Sequence, residues 1–160
     1  MPALRRVENA DRPPAVEHVY PPMKSILLVD DFEDGLEMYQ EYLTFRAFHV
    51  VAARSGEEAV AQARVHRPQV ILLDLRMPGL TGTDAMRILR ADPSFVDTPI
   101  IALTAHALDE ERRVALSAGF DAVIAKPCLP DALVAAVDAI LSVRTQTEGA
   151  AAKPGAAPNG

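Results

Sequence analysis

Val70-Ile71-Leu72-Leu73-Asp74-Leu75-Arg76-Met77-Pro78-Gly79 holds four apolar residues in a row, then an acid, then a turn. A continuous apolar run marks a strand covered on both faces, which is the habit of parallel sheets. Met77-Pro78-Gly79 ends it with turn chemistry. The same grammar recurs on either side. Upstream, Ile26-Leu27-Leu28-Val29 and Val50-Val51-Ala52-Ala53 read as strands. Downstream, Pro99 to Leu103 and Ala122 to Ala125 do the same.

Helix patterns fill the gaps. Leu36, Tyr39 and Leu43 recur at helical spacing. Ser55-Gly56-Glu57-Glu58 reads as a capping box, with Ser55 as N-cap and Glu58 at N3. The helix it opens stops before Pro68. Further helices are expected near residues 83–91 and from Asp109 to Ala118, the latter closed by Gly119. Pro130 suits the first position of a last helix, whose core stripe is Leu133, Val137, Ile140 and Leu141. Alternating strands and helices predict an α/β fold. It is a doubly wound five-stranded parallel sheet, flavodoxin-like, of strand order 2-1-3-4-5 with five helices.

The globular part is expected over residues 24–144. Residues 1–23 contain Pro2, Pro13, Pro14, Pro21 and Pro22 in a polar, periodless context and read as a disordered arm. Residues 145–160, rich in Ala, Gly and Pro, read as a flexible tail. The chain of 160 residues is 49 % hydrophobic and 24 % charged, an ordinary globular balance. Its net charge is -6, and both flanks are neutral, so the acidic excess sits in the globule. That argues against nucleic acid and anionic membranes as partners. No apolar run has the length of a membrane span, and no signal peptide is visible. A single cysteine, Cys128, excludes an intramolecular disulfide and points to a reducing, cytoplasmic setting.

In a doubly wound sheet the working crevice lies at the carboxyl ends of the strands. Asp30-Asp31 follow strand 1, Asp74 ends strand 3, Thr104 ends strand 4, and Lys126-Pro127 follow strand 5. Three carboxylates in one pocket repel one another unless a cation joins them. Hard oxygen ligands suit Mg²⁺, which keeps several of its waters. A carboxylate beside Mg²⁺ is a nucleophile toward a phosphoryl group, and a fixed lysine neutralises the oxygens in transit.

The set resembles the receiver domain of bacterial response regulators. The matching pieces are Leu27-Leu28-Val29-Asp30-Asp31, Leu72 to Gly79, Ile101-Ala102-Leu103-Thr104-Ala105, and Ala118-Gly119-Phe120-Asp121 leading to Lys126-Pro127. The resemblance implies that Asp74 is the phosphoacceptor. It implies that Asp31 ligates Mg²⁺, with Asp30 supporting it, together with Asp74 and the backbone carbonyl of Arg76. Lys126 would pair with phosphoryl oxygens, Thr104 would be the switch hydroxyl, and a cis bond would precede Pro127. A histidine kinase or histidine phosphotransfer protein would be the donor. The output would be contact with a downstream protein target, from a stand-alone receiver that catalyses only its own phosphorylation and dephosphorylation. The resemblance also implies that Arg76 and His106 tune the lifetime of the phosphoryl group.

One position departs from the pattern. The family carries Tyr or Phe three residues before the lysine, where this chain has Val123. Valine has no ring to swing inward behind Thr104. That leaves a phosphorylation-independent pseudo-receiver scaffold as the alternative. A phosphatase with an aspartyl nucleophile fits less well, because it resembles an Asp-x-Asp pattern after the first strand. His18, His49 and His66 have no ligand spacing, and Cys128 is expected to pack near the last helix. Asp109-Glu110-Glu111-Arg112-Arg113 reads as a solvated helix face with an acidic first turn, on the side where receivers bind partners.

Overall fold

The computed structural model describes residues 23–151, with side chains through residue 144. The expected arm, apart from Met23, lies outside the described residues, as do His18 and residues 152–160. Five strands form one parallel sheet of order β2-β1-β3-β4-β5. They are β1 (Ser25–Val29), β2 (His49–Ala53), β3 (Val70–Asp74), β4 (Ile100–Thr104) and β5 (Ala122–Ala125). The helices are α1 (Glu33–Phe45), α2 (Gly56–His66), α3 (Gly82–Ala91), α4 (Asp109–Ala118) and α5 (Pro130–Ala151). The expected fold class, strand order and helix number are therefore met.

The sheet is sealed on both faces because its strands alternate between two cores. Leu27, Val29, Ile71 and Leu73 point to the side of α2, α3 and α4, where Ala59, Met86 and Leu89 meet them. Ile26, Leu28, Leu72 and Ile101 point to the side of α1 and α5, where Leu36, Leu43, Leu133 and Val137 meet them. Each fully buried leucine or isoleucine contributes about 1.5–3 kcal/mol. Ile140 and Leu141, the rest of the expected α5 stripe, pack at the edge of the second core.

Three details differ from the sequence reading. Ser55 caps α2 by accepting from the Glu58 N–H at 3.1 Å, but Glu58 accepts from the Arg54 N–H at 2.8 Å. The cap is thus half of a capping box, with its return bond displaced by one residue. Helix α5 runs through Ala151, past the tail boundary expected at residue 145. The helix passes through Gly149, which disfavours it, because Gln146, Glu148 and Ala150 around that position favour one and no proline intervenes before Pro154. A single turn of 3-10 helix at Pro93–Phe95 was not foreseen, although Asp92 before Pro93 is its start signal.

Candidate functional site

The parallel register brings the strand ends level. Val29 lies beside Leu73, Asp74 beside Leu103, and Thr104 beside Ala125. The residues that follow therefore share one crevice. Asp30, Asp74 and Thr104 are the buried polar residues among those described, at 2 %, 6 % and 3 % exposure. Burying a charge is costly unless it is paired, so their partners matter.

Lys126 supplies the pairing. Its ammonium donates to Asp30 Oδ2 at 2.6 Å and to Asp74 Oδ2 at 3.1 Å. The other oxygens are held by backbone. Asp30 Oδ1 accepts from the Phe32 N–H at 2.9 Å, and Asp74 Oδ1 accepts from the Arg76 N–H at 3.0 Å. Burial pushes the Asp74 carboxyl above its ordinary value, against the Arg76 N–H and the Lys126 ammonium. Burial alone would lower the Lys126 ammonium, but its bonds to Asp30 and Asp74 outweigh that and raise it. Asp31 is exposed, yet it offers a carboxylate oxygen to the same cluster. One oxygen each from Asp30, Asp31 and Asp74 lies within 4.8 Å of the others, a hard-ligand set that fits Mg²⁺.

The backbone fixes this geometry closely. Lys126 precedes Pro127 through a cis bond, and its N–H donates to the Thr104 carbonyl at 2.7 Å. Gly82, the first residue of α3, lies against the Asp74 carbonyl, where an added Cβ would sit 2.0 Å from that oxygen. Glu57 of α2 accepts from the Leu80 N–H at 3.2 Å and so ties down the loop after Asp74. The Thr104 hydroxyl accepts from the His106 N–H at 3.1 Å and donates to the His106 carbonyl at 3.3 Å. His106 itself is exposed at the rim.

Val123 stands on β5 and is buried in the core facing α4, and its carbonyl accepts from Arg112 at 3.3 Å. Cys128 packs on the α1/α5 core as expected, and its backbone N–H and carbonyl both bond the Tyr39 hydroxyl. The acidic start of α4 is less uniformly solvated than its sequence suggests. Glu111 is half-buried and its Oε1 lies 3.4 Å from the Arg76 guanidinium, which the sequence reading did not connect. No local signal links positions so far apart in the chain; only the fold juxtaposes them.

A parallel 2-1-3-4-5 sheet with an acidic pocket and a Lys-cis-Pro at its carboxyl edge defines a class: the receivers of two-component signalling. The chain belongs to the response regulator receiver domain family, whose model matches residues 26–138. It is 31 % identical over 104 residues to the polar-differentiation response regulator DivK of Brucella anthropi, covering 65 % of this chain and 85 % of that one. Among solved structures, the chemotaxis response regulator CheY4 of Vibrio cholerae is 29 % identical with a TM-score of 0.71, covering 74 % of this chain and 98 % of that one. A response regulator structure from Chloroflexus aurantiacus is 32 % identical, with a TM-score of 0.71 and coverage of 75 % and 98 %. Among the described residues, no helix is long and apolar enough to cross a membrane.

Proposed function

We propose that this receiver accepts a phosphoryl group on Asp74 in a Mg²⁺-dependent reaction. The donor is a histidine kinase or histidine phosphotransfer protein in the cytoplasm, and the output is contact with a downstream protein. The observation that carries the reading is the Lys126 ammonium bridging two buried aspartates, Asp30 and Asp74, beside a third. A scaffold gains nothing from that costly arrangement.

In the reaction, an Asp74 oxygen forms the new P–O bond as the P–N bond to the donor imidazole breaks. The electron pair leaves with the imidazole nitrogen. Mg²⁺, held by Asp31, Asp30, Asp74 and the Arg76 carbonyl, would neutralise charge on the phosphoryl oxygens. Lys126 trades its Asp74 oxygen for a phosphoryl oxygen while keeping Asp30. The Thr104 hydroxyl leaves its own loop to donate to the phosphoryl group. Catalysis here is positioning and electrostatics, with no turnover of an external substrate.

Intact mass after incubation with Mg²⁺ and acetyl phosphate tests this. Wild type gains one phosphoryl group and Asp74→Asn gains none. Lys126→Ala gains it about 10²-fold more slowly, the usual scale for one lost electrostatic partner. Failure of wild type to gain mass from either acetyl phosphate or a phosphorylated histidine donor would favour the pseudo-receiver, the reading that Val123 supports. His106, at the rim, is assigned to tuning dephosphorylation by shaping access of the attacking water. His106→Ala changes the phosphoryl lifetime several-fold, and an unchanged lifetime removes the assignment.

A further inference from the structure

The receiver's switch needs a moving part, and Val123 offers no ring to move. The described residues hold another candidate between the loop after Asp74 and helix α4. The Arg76 guanidinium reaches across to Glu111 Oε1 at 3.4 Å. Glu111 Oε2 is buried there without a hydrogen-bond partner. The two residues border a cavity of about 230 Å³, together with Thr83, Arg87, Thr104 and Ala115. Helix α4 is otherwise held by few groups, among them the Arg112 bond to the Val123 carbonyl at 3.3 Å. Ala115 is its buried residue, while Val114 and Leu116 are 60 % and 45 % exposed.

We propose that the Arg76–Glu111 pair is a clasp that holds α4 in its resting position, and that phosphorylation of Asp74 opens it. The proposal rests on the phosphoacceptor reading above. Two observations support it, together with the chemistry of a phosphoryl group. Arg76 is tied to Asp74 by its own backbone N–H, at 3.0 Å, so the residue that carries the guanidinium is anchored at the reacting carboxylate. The pair is poorly satisfied, with one long contact and one orphaned carboxylate oxygen, so it is easily outbid. A phosphoryl group carries close to two negative charges and three strong acceptors, against a single charge on Glu111. The guanidinium is a planar fork suited to phosphoryl oxygens and turns toward them. Glu111 then loses its partner, and α4 shifts into the adjoining cavity. The signal leaves through α4 without an aromatic rotation. Glu111 is thus a positioning residue for Arg76 and the sensor on the helix.

Hydrogen exchange of α4 amides, read beside intact mass, tests the clasp. In unphosphorylated Glu111→Gln, exchange over residues 112–118 is about two- to five-fold faster than in wild type, the scale of one partly exposed ion pair. Arg76→Ala gives the same acceleration, and the double variant adds nothing to either, because both remove one contact. Phosphorylated wild type matches resting Glu111→Gln, and Glu111→Gln shows no further α4 change when it gains its phosphoryl group. A merely structural glutamate would loosen α4 but leave the response to phosphorylation intact. Mass gain in wild type with unaltered α4 exchange, or with a full α4 response in Glu111→Gln, overturns the clasp alone. Absence of mass gain in wild type with both acetyl phosphate and a phosphorylated histidine donor overturns the phosphoacceptor reading and the clasp with it.

Discussion

Tyr39 shows how one buried hydroxyl can bind a functional loop to a helix. Its oxygen lies 3.0 Å from the Cys128 carbonyl, to which it donates, and 3.3 Å from the Cys128 N–H, which donates to it. It therefore staples α1 to the turn that follows Lys126 and Pro127. Burial, and then the contact with Cys128, pushes its phenol above the ordinary 10.0. The native state thus holds this proton more tightly than the unfolded chain. The resulting stability is fully present below pH 10 and is lost as pH rises from there through the folded value. Alkaline titration at 295 nm checks this. The difference between wild type and Tyr39→Phe isolates a component that titrates later than a free phenol. A component at the ordinary value would mean that the staple does not hold in solution.

At the scale of elements, two glycines make opposite predictions. A Cβ on Gly82 would lie 2.0 Å from the Asp74 carbonyl oxygen and 2.8 Å from its carbon, both backbone atoms that cannot give way. Gly82→Ala should cost about 3 kcal/mol, near the upper end for overpacking, and lower the melting temperature by roughly 10 °C. It should also slow phosphorylation, because the strand end that carries Asp74 must move. Gly35, inside α1, meets chiefly the Phe32 ring at 3.1 Å, and that ring is exposed and free to yield. Gly35→Ala should be neutral or stabilising by up to about 1 kcal/mol, as alanine is over glycine in a helix. Calorimetry on the two variants decides both. The same scale explains what was legible beforehand. Apolar runs such as Val70 to Leu73 and breakers such as Pro68 and Gly119 announce their elements locally. The pocket was legible too, because strand ends in a parallel sheet meet by topology. What stayed hidden depends on contacts between distant elements. Arg90 is an example: its guanidinium bonds the Phe95 and Thr98 carbonyls and Asp121, so it anchors the 3-10 turn to the start of β5. The Arg76–Glu111 contact is another. The onward run of α5 escaped for a different reason, since residues 145–151 carry no apolar stripe and include Gly149.

For the whole molecule, charge is the organising cost. The acidic excess of -6 is confined to the globule, and three of its carboxylates converge at one edge of the sheet. Lys126 neutralises part of that cluster through Asp30 and Asp74, while Asp31 remains exposed beside them. A divalent cation that binds the cluster favours the folded chain over the unfolded one, because only folding assembles the ligands. At about ten times its dissociation constant, such an ion adds roughly 1.4 kcal/mol of stability. For a domain of this size that raises the melting temperature by about 3–6 °C. Sodium chloride at matched ionic strength should produce less, since screening does not require three converging oxygens. Asp31→Asn separates the two effects. Its side chain is exposed, so the fold loses little, but the ligand set loses a charge. The variant should melt close to wild type without Mg²⁺ and gain little when the ion is added, and chelation should return wild type to its starting temperature. An equal Mg²⁺ shift in wild type and Asp31→Asn would mean that the ion acts on the acidic surface at large rather than at the strand ends.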